Sequence, residues 1–480
     1  MLAVAITAVA LAVIDTNGAA QGAKPAGRAG WVDLFDGKTL DGWKAAEHPD
    51  AWTVKDGTLS CNGERSHLFY VGPVAQAQFA DFEAEFEVFA HTGANSGVYF
   101  LTAWQDKGWP SQGFEMQVNN TQPIFAGDSG DPYRENKKTG SLYGIRNTYK
   151  ALARDNEWFT LKLRVEGPRV RIHVGDALVV DYVEPEGEVA GLETPLSKIL
   201  KGTFALQCHD SRSQVQYRRI AVHPLPPPAT PVARAPNPDS SSAKRYRLAR
   251  DNFPLVDLRA LDASKAGGLE ALQAKQRSGE GLYVGVTATA GKSGAVKDDA
   301  AVEAFAKRYA RQPVFAGLRV FEPGWNAGFR AKGLAAVDYV LLDGEQLVVR
   351  VPRARWTSPE AAVAALVETT VAALEKEPID VYGAPTFLPA GTKATLTDAQ
   401  RQRLIDAAVK GGVAIEINGR LKLPDEAFVR TAKAAGLKFT LGECTLGTPA
   451  GDYCFDLREK VGLGYKDILE PTQQPTRASR

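Results

Sequence analysis

The stretch Phe82-Glu83-Ala84-Glu85-Phe86-Glu87-Val88 decides how the first half of the chain folds. Phe82, Ala84, Phe86 and Val88 fall on one face, and Glu83, Glu85 and Glu87 on the other. A period of two with one apolar and one acidic face belongs to an antiparallel strand laid against a core. The same grammar repeats outward from it, in Trp52-Thr53-Val54 before Asp56-Gly57, Val98-Tyr99-Phe100-Leu101, Phe159–Val165, Val170–Val174 and Val215–Val222. Glu166-Gly167-Pro168 suits a hairpin turn. Many short strands with almost no helical period predict an all-β sandwich, of the jelly-roll kind, over residues 31–223.

The grammar then changes. PLPPPATPVARAPNP, residues 224–238, precedes three serines. Proline fixes φ and lacks a backbone donor, so residues 224–244 are expected to form an extended linker. Residues 245–480 alternate apolar strands with helices. The strands are read at Leu282–Val286, Val314–Phe321, Tyr339–Leu342, Ile379–Tyr382, Val413–Ile417 and Lys438–Leu441. Helices are read at Ala300–Tyr309, Pro359–Glu375 and Ala399–Val409, the last opened by a Thr397/Gln400 capping box and stopped by Gly411-Gly412. This half is α/β with a parallel sheet, open or closed into a barrel. A chain of 480 residues exceeds one ordinary core, so a multidomain protein follows.

Composition narrows the function. Hydrophobic residues make up 44% and charged residues 24%, with a net charge of +1. That balance argues against a nucleic-acid partner bound through bulk positive charge. Residues 1–23 carry an apolar run, Leu2–Ile14, followed by small residues at Ala19, Ala20 and Ala23. They read as a signal peptide, although no Lys or Arg precedes the run. The expected location is periplasmic or secreted, and no other segment is apolar enough for a stable transmembrane span. Of the four cysteines, Cys444 and Cys454 enclose a short loop and are able to pair. The other reading, four free thiols including Cys61 and Cys208, stays open.

The motifs come in order. Trp31-Val32-Asp33-Leu34-Phe35-Asp36-Gly37 runs on to Asp41-Gly42-Trp43. Asn95-Ser96-Gly97-Val98-Tyr99-Phe100 follows, then Gly113-Phe114-Glu115-Met116-Gln117-Val118-Asn119-Asn120. The last two are Lys138-Thr139-Gly140-Ser141-Leu142-Tyr143-Gly144 and Leu206-Gln207 with His209-Asp210. Together they resemble the 3-keto-disaccharide hydrolase domain family. The resemblance implies a concanavalin-like β-sandwich and cleavage of glycosides already oxidised to a ketone at sugar carbon 3. Such a ketone acidifies the hydrogen on carbon 2. A base removes it, and the aglycone leaves carbon 1 by β-elimination. This route needs a general base, a donor for the enolate oxygen and an acid for the leaving group.

Glu115 is the first catalytic candidate, because alternation puts it and Gln117 on the polar face of a strand whose other face is Phe114, Met116 and Val118. His209 is the second, as base or metal ligand. Tyr143 is the candidate donor to the enolate. Gln117, Asn95, Asn119, Asn120, Lys138 and Asp210 are expected to meet sugar hydroxyls, with Trp104, and equally Trp109, stacking on a sugar face. Each has a plainer role open to it, as a solvated carboxylate, a structural imidazole, a turn cap or a packed ring. The chain departs from its relatives at Gln122, where they carry His, and in the long stretch Pro123–Lys137. His67, His91 and His209 remain as polar members of the site; no motif demands a cofactor, and a divalent cation in the sandwich site remains compatible with the chemistry. The expected partner is a carbohydrate, bound with or without turnover. Oligomeric state is not legible.

Residues 245–480 resemble the PHP superfamily, the metal-dependent phosphoesterase barrel named for polymerases and histidinol phosphatase. The resemblance rests on Asp257 with Gly267-Gly268-Leu269, Pro313-Val314-Phe315, Asp338-Tyr339-Val340, Pro385-Thr386-Phe387-Leu388-Pro389 and Ala414-Ile415-Glu416-Ile417-Asn418. Active members open with His-x-His, and here Arg259 and Leu261 stand at those positions. All 6 histidines lie at or before His223. Asp257, Glu322, Glu416 and Glu443 are left to line a pocket, where carboxylates alone suit at most a weakly held hard cation; the expectation is a PHP-like β/α barrel lacking the metal-ligand histidines, kept as scaffold or binding partner.

Overall fold

The computed structural model describes residues 28–121, 125–126, 132–186, 201–236, 240–351, 354, 356–389, 391–445 and 447–471. The signal-peptide stretch and Gln122 lie outside them.

The first half is a sandwich of two antiparallel sheets. One has eight strands, in the order Ala177–Val183, Arg169–Val174, Trp158–Glu166, Phe82–Ala90, Val215–Pro224, Thr58–Cys61 and Trp52–Lys55, with Val32–Asp33 added beside Val215–Pro224. The deciding strand therefore sits at its centre. Phe82 and Phe86 point inward, where their rings meet Phe204 of the facing sheet at 5.1 and 5.9 Å. Glu83, Glu85 and Glu87 point outward onto Arg164, Arg219 and Arg218. Each inward phenylalanine contributes roughly 1.5–3 kcal/mol by burial, far more than an outer ion pair does.

The second sheet has five strands, in the order Trp43–Ala46, Ser66–Tyr70, Thr203–Cys208, Asn95–Thr102 and Phe114–Asn119. Its last strand would be an open edge, which proteins generally cover. Residues 139–143 cover it. The Tyr143 N–H donates to the Glu115 carbonyl at 2.9 Å, the Gln117 N–H to Ser141 at 3.0 Å, and the Gly140 N–H to Gln117 at 2.9 Å. Gly140 has φ 89°, and any side chain there would collide with Val174 and Val179.

Residues 225–236 carry neither helix nor strand. A helix then begins at Ser240 and runs to Arg250, so the last residues of the stretch read as linker are helical. Their periodicity is weak because the helix faces two cores. Tyr246 packs into the sandwich core, and Leu248 and Ala249 into the barrel core.

The second half is a closed barrel of parallel strands, Val256–Asp262, Tyr283–Thr289, Phe315–Val320, Tyr339–Asp343, Val381–Gly383, Ala414–Asn418 and Phe439–Gly442. Asp257 pairs with Leu441 and closes the ring. The Thr397–Gln400 capping box forms, and Gly412 ends that helix with φ 58°. The first barrel strand had not been read from the sequence, because Arg259 and Asp262 break its apolar run. Seven parallel strands do not by themselves mark a phosphoesterase barrel. Cys444 and Cys454 form a disulfide, while Cys61 and Cys208 are free and buried. No helix among the described residues is long and apolar enough to cross a membrane.

Candidate functional site

The outer face of the five-stranded sheet holds the site. Phe114, Met116 and Val118 turn into the sandwich core, so Glu115 and Gln117 turn the other way. Glu115 pairs with Tyr99 on the next strand and leans over Gly97, where any side chain would strike its carboxylate. Gln207, one strand further, donates its Nε2 to Glu115 Oε1 at 3.1 Å and lies 3.4 Å from the Tyr99 hydroxyl. His67, opposite Gln207 on the following strand, completes the row.

The environment brings the Glu115 carboxyl close to neutral pH. It is only 8% exposed, and burial pushes its carboxyl from 4.5 up to about 7. Hydrogen bonds from Tyr99 and Gln207 and the nearby His209 oppose that rise, and Glu135 adds to it. No arginine or lysine pairs with it through a salt bridge among the described residues. Burial also pushes Tyr99 well up, so its hydroxyl keeps its proton. Burial, helped by the Arg65 charge, takes His67 down to about 3, so that imidazole is neutral.

Several polar atoms here are buried and have no hydrogen-bond partner among the described residues: both ring nitrogens of His67, Gln117 Oε1 and Gln207 Oε1. Leaving such atoms empty costs roughly 1–3 kcal/mol each. Indole rings roof the face. Trp109 is 44% exposed and lies 5.5 Å from His67 and 5.0 Å from His209. Trp104 packs on Phe69 at 5.1 Å. The loop carrying them is tied down by the Gly108 N–H on Glu47 Oε2 at 2.9 Å.

The expected residues divide into those on this face and those beside it. Glu115, Gln117 and His209 share one side, with Asn95 accepting from Gln117 Nε2 at 2.7 Å. Asp210 accepts from His209 Nδ1 at 2.8 Å. Burial raises Asp210, but the bonds from His209 and the Arg212 N–H outweigh it and hold the carboxyl well below its usual range. Tyr143 does not offer its hydroxyl to the site: it donates to Glu135 Oε2 at 2.9 Å. Asn119 donates to the Glu135 and Lys137 carbonyls at 2.8 and 3.0 Å, and Asn120 accepts from Thr139. Both therefore hold the edge segment. Lys138 is 3% exposed, and burial lowers its amine. Tyr99 and Gln207 are the members that sequence reasoning had not assigned to the site. Their motif positions were visible, but only strand pairing puts them against Glu115.

The barrel mouth holds a second buried cluster. Arg259 lies 2.9 Å from Asp343, 3.4 Å from Glu416, 3.6 Å from Glu345 and 3.8 Å from Glu443. Asp257 accepts the backbone N–H groups of Arg259 and Cys444. Glu322 does not join them and is bound by Ser293 and Arg350 instead. Among the described residues, no group of three or more His, Cys, Asp or Glu side chains is placed to hold a metal ion.

The geometry thus defines a β-sandwich with a buried, uncompensated carboxylate on a polar face roofed by tryptophans. Residues 30–223 match the family described as the 3-keto-alpha-glucoside-1,2-lyase-like domain, which supports the resemblance read from the ordered motifs. A 3-keto-disaccharide hydrolase from Bacteroides thetaiotaomicron is 33% identical over 79 residues, 15% of this chain and 27% of that protein. The chain therefore spans about a quarter of that relative. Among solved structures, one assigned provisionally as a glycosyl hydrolase from Parabacteroides distasonis aligns at 19% identity and TM-score 0.35, over 41% of this chain and 94% of its own. A carbohydrate-binding module from Bacillus subtilis aligns at 16% identity and TM-score 0.26, over 38% and 95%.

Proposed function

We propose that the sandwich cleaves 3-keto-glycosides by proton abstraction and β-elimination. The observation that carries this reading is Glu115, a buried carboxylate pushed up to about 7 on a polar face beside the half-exposed ring of Trp109. Glu115 takes the proton from sugar carbon 2. The electron pair of that C–H bond becomes the carbon 1–carbon 2 double bond, and the bond from carbon 1 to the aglycone oxygen breaks. His209, oriented by Asp210, gives the leaving oxygen its proton. With the Tyr143 hydroxyl held by Glu135, the donor to the ketone oxygen passes to His67, whose neutral ring has an unfilled N–H. Water then adds to the unsaturated sugar in the hydrolase version. The matched family and the relative's name support the substrate class.

The test is incubation of the full chain with a panel of 3-keto-glucosides and measurement of aglycone release. Absence of release with sugar binding retained would favour the second reading, a carbohydrate-binding protein without turnover, which the replacement at Gln122 favours. Export to an oxidising compartment is supported by the Cys444–Cys454 disulfide, since such bonds persist outside the reducing cytosol. The barrel reads as a PHP-like barrel turned scaffold, because Arg259 fills its carboxylate ring with a guanidinium.

A further inference from the structure

Segment 134–150 is shared by the two halves. On one side its residues 139–143 are paired with the Glu115 strand. On the other it is gripped by the barrel half. Asn147 donates to the Ala249 carbonyl at 2.9 Å, and Lys150 reaches Asp338 at 2.9 Å and the Val314 carbonyl at 3.0 Å. Arg146 bonds the Ser278 carbonyl and the Tyr246 hydroxyl.

One of these contacts runs through to the site. Asn252 sits just past the Ser240–Arg250 helix with φ 62°. Its amide donates to the Arg134 carbonyl at 3.0 Å, and its Oδ1 accepts from Lys137 Nζ at 3.0 Å. Lys137, 1% exposed, lies 3.2 Å from Glu135 Oε1 and 4.4 Å above the Tyr143 ring. Glu135 accepts the Tyr143 hydroxyl at 2.9 Å, and the Tyr143 N–H holds the Glu115 carbonyl at 2.9 Å.

We propose that the barrel half positions the sandwich site, with Asn252 as the positioning residue acting through Lys137, Glu135 and Tyr143 on the strand that carries Glu115. A buried ion pair adds little net stability compared with apolar packing. What it adds is a fixed geometry, because each member has one arrangement that satisfies it. Here that geometry spans both halves and ends on the backbone of Glu115. The pair also sets the field at the site, since Glu135 faces Glu115 from this segment while Tyr99, Gln207 and His209 face it from the sheet. The consequence for turnover rests on Glu115 being the base; the positional claim does not.

The test uses the full chain carrying Asn252→Gly, since glycine accepts the positive φ and only the side chain is lost. The Glu115 carboxyl is titrated by infrared difference spectroscopy against Glu115→Gln, and amide exchange is followed over residues 114–119 and 139–143. The expected result is a shift in the Glu115 midpoint by roughly half a unit or more, and exchange at Gly140 and Tyr143 about tenfold faster. Lys137→Gln, which leaves the Glu135 charge less compensated, shifts the midpoint upward. Lys150→Met breaks the same interface away from the relay and leaves both readouts unchanged. Unchanged readouts in Asn252→Gly and Lys137→Gln, or equal changes in Lys150→Met, overturn the proposal. Failure of the wild-type chain to release aglycone overturns the base assignment instead, and the titration still decides the positional role.

Discussion

Glu115 in the sandwich and Glu416 in the barrel are built alike and meet opposite partners. Each is a strand carboxylate that leans over a glycine of the neighbouring strand, Gly97 and Gly442, because any side chain there would occupy its place. Burial raises both above their ordinary range. Around Glu115 stand the neutral donors Gln207 and Tyr99. Around Glu416 stand Arg259, the Ala384 N–H at 2.6 Å and Asn418 at 3.1 Å. Burial works against the Arg259 charge, but Glu416 and Asp343 overcome it and hold the guanidinium above its usual range. A buried carboxylate facing neutral donors titrates close to neutrality, here at about 7. One held by a guanidinium, a backbone N–H and an asparagine is fixed in place and holds strands together.

The comparison breaks most readily at Glu115. Glu115→Gln keeps the shape and the bond from Gln207, and it is expected to cut aglycone release by about 10²–10⁴-fold, the range for a lost general base. Steady-state kinetics on a 3-keto-glucoside check this, and an unchanged rate would remove Glu115 from the chemistry. At the other cluster, Arg259→Met leaves Asp343 and Glu416 buried without their cation. It is expected to destabilise the barrel by about 3–5 kcal/mol, read from denaturant unfolding.

A subtler expectation concerns pH. The folded chain keeps the Glu115 proton up to about 7, while the unfolded chain releases it near 4.5. The stabilisation from holding that proton is full below the unfolded value and lost as pH rises through the folded one. Glu115→Gln should therefore raise stability by about 3 kcal/mol at pH 8 and change it little at pH 5. Equal effects at both pH values would mean that the carboxyl is not raised. His67→Leu removes an imidazole with no internal partner, so unfolding should move by less than about 1 kcal/mol. The kcat for aglycone release should fall about 10²–10³-fold, the cost of losing the donor to the developing enolate oxygen. The smallest effect belongs to the outer face of the other sheet, where Arg218 meets Glu87 with its side chain 49% exposed. Arg218→Ala is expected to change stability by no more than about 0.5 kcal/mol.

Much of this was legible in the chain. The alternation around Phe82–Val88 named the central strand of the larger sheet, and the alternation of Phe114–Val118 told which face Glu115 would take. The Thr397/Gln400 pair placed a helix start. These are local properties: strand period and capping depend on residues within a few positions of each other. The helix at Ser240–Arg250 was not legible, since its apolar residues serve two cores and leave no clean stripe.

By itself, then, the sequence determined the two grammars, the polar face of the Glu115 strand and the ordered motifs that tie residues 30–223 to a family. Only the tertiary structure decided that Tyr143 turns to Glu135, that Tyr99 and Gln207 meet Glu115, and that Arg259 fills the barrel's carboxylate ring. The physical reason is distance along the chain. Gln207 lies 92 positions from Glu115, and Arg259 lies 157 from Glu416. Whether a buried carboxylate faces an amide or a guanidinium is fixed by which strands pair. Strand pairing is settled by the packing of whole sheets, which no local pattern encodes.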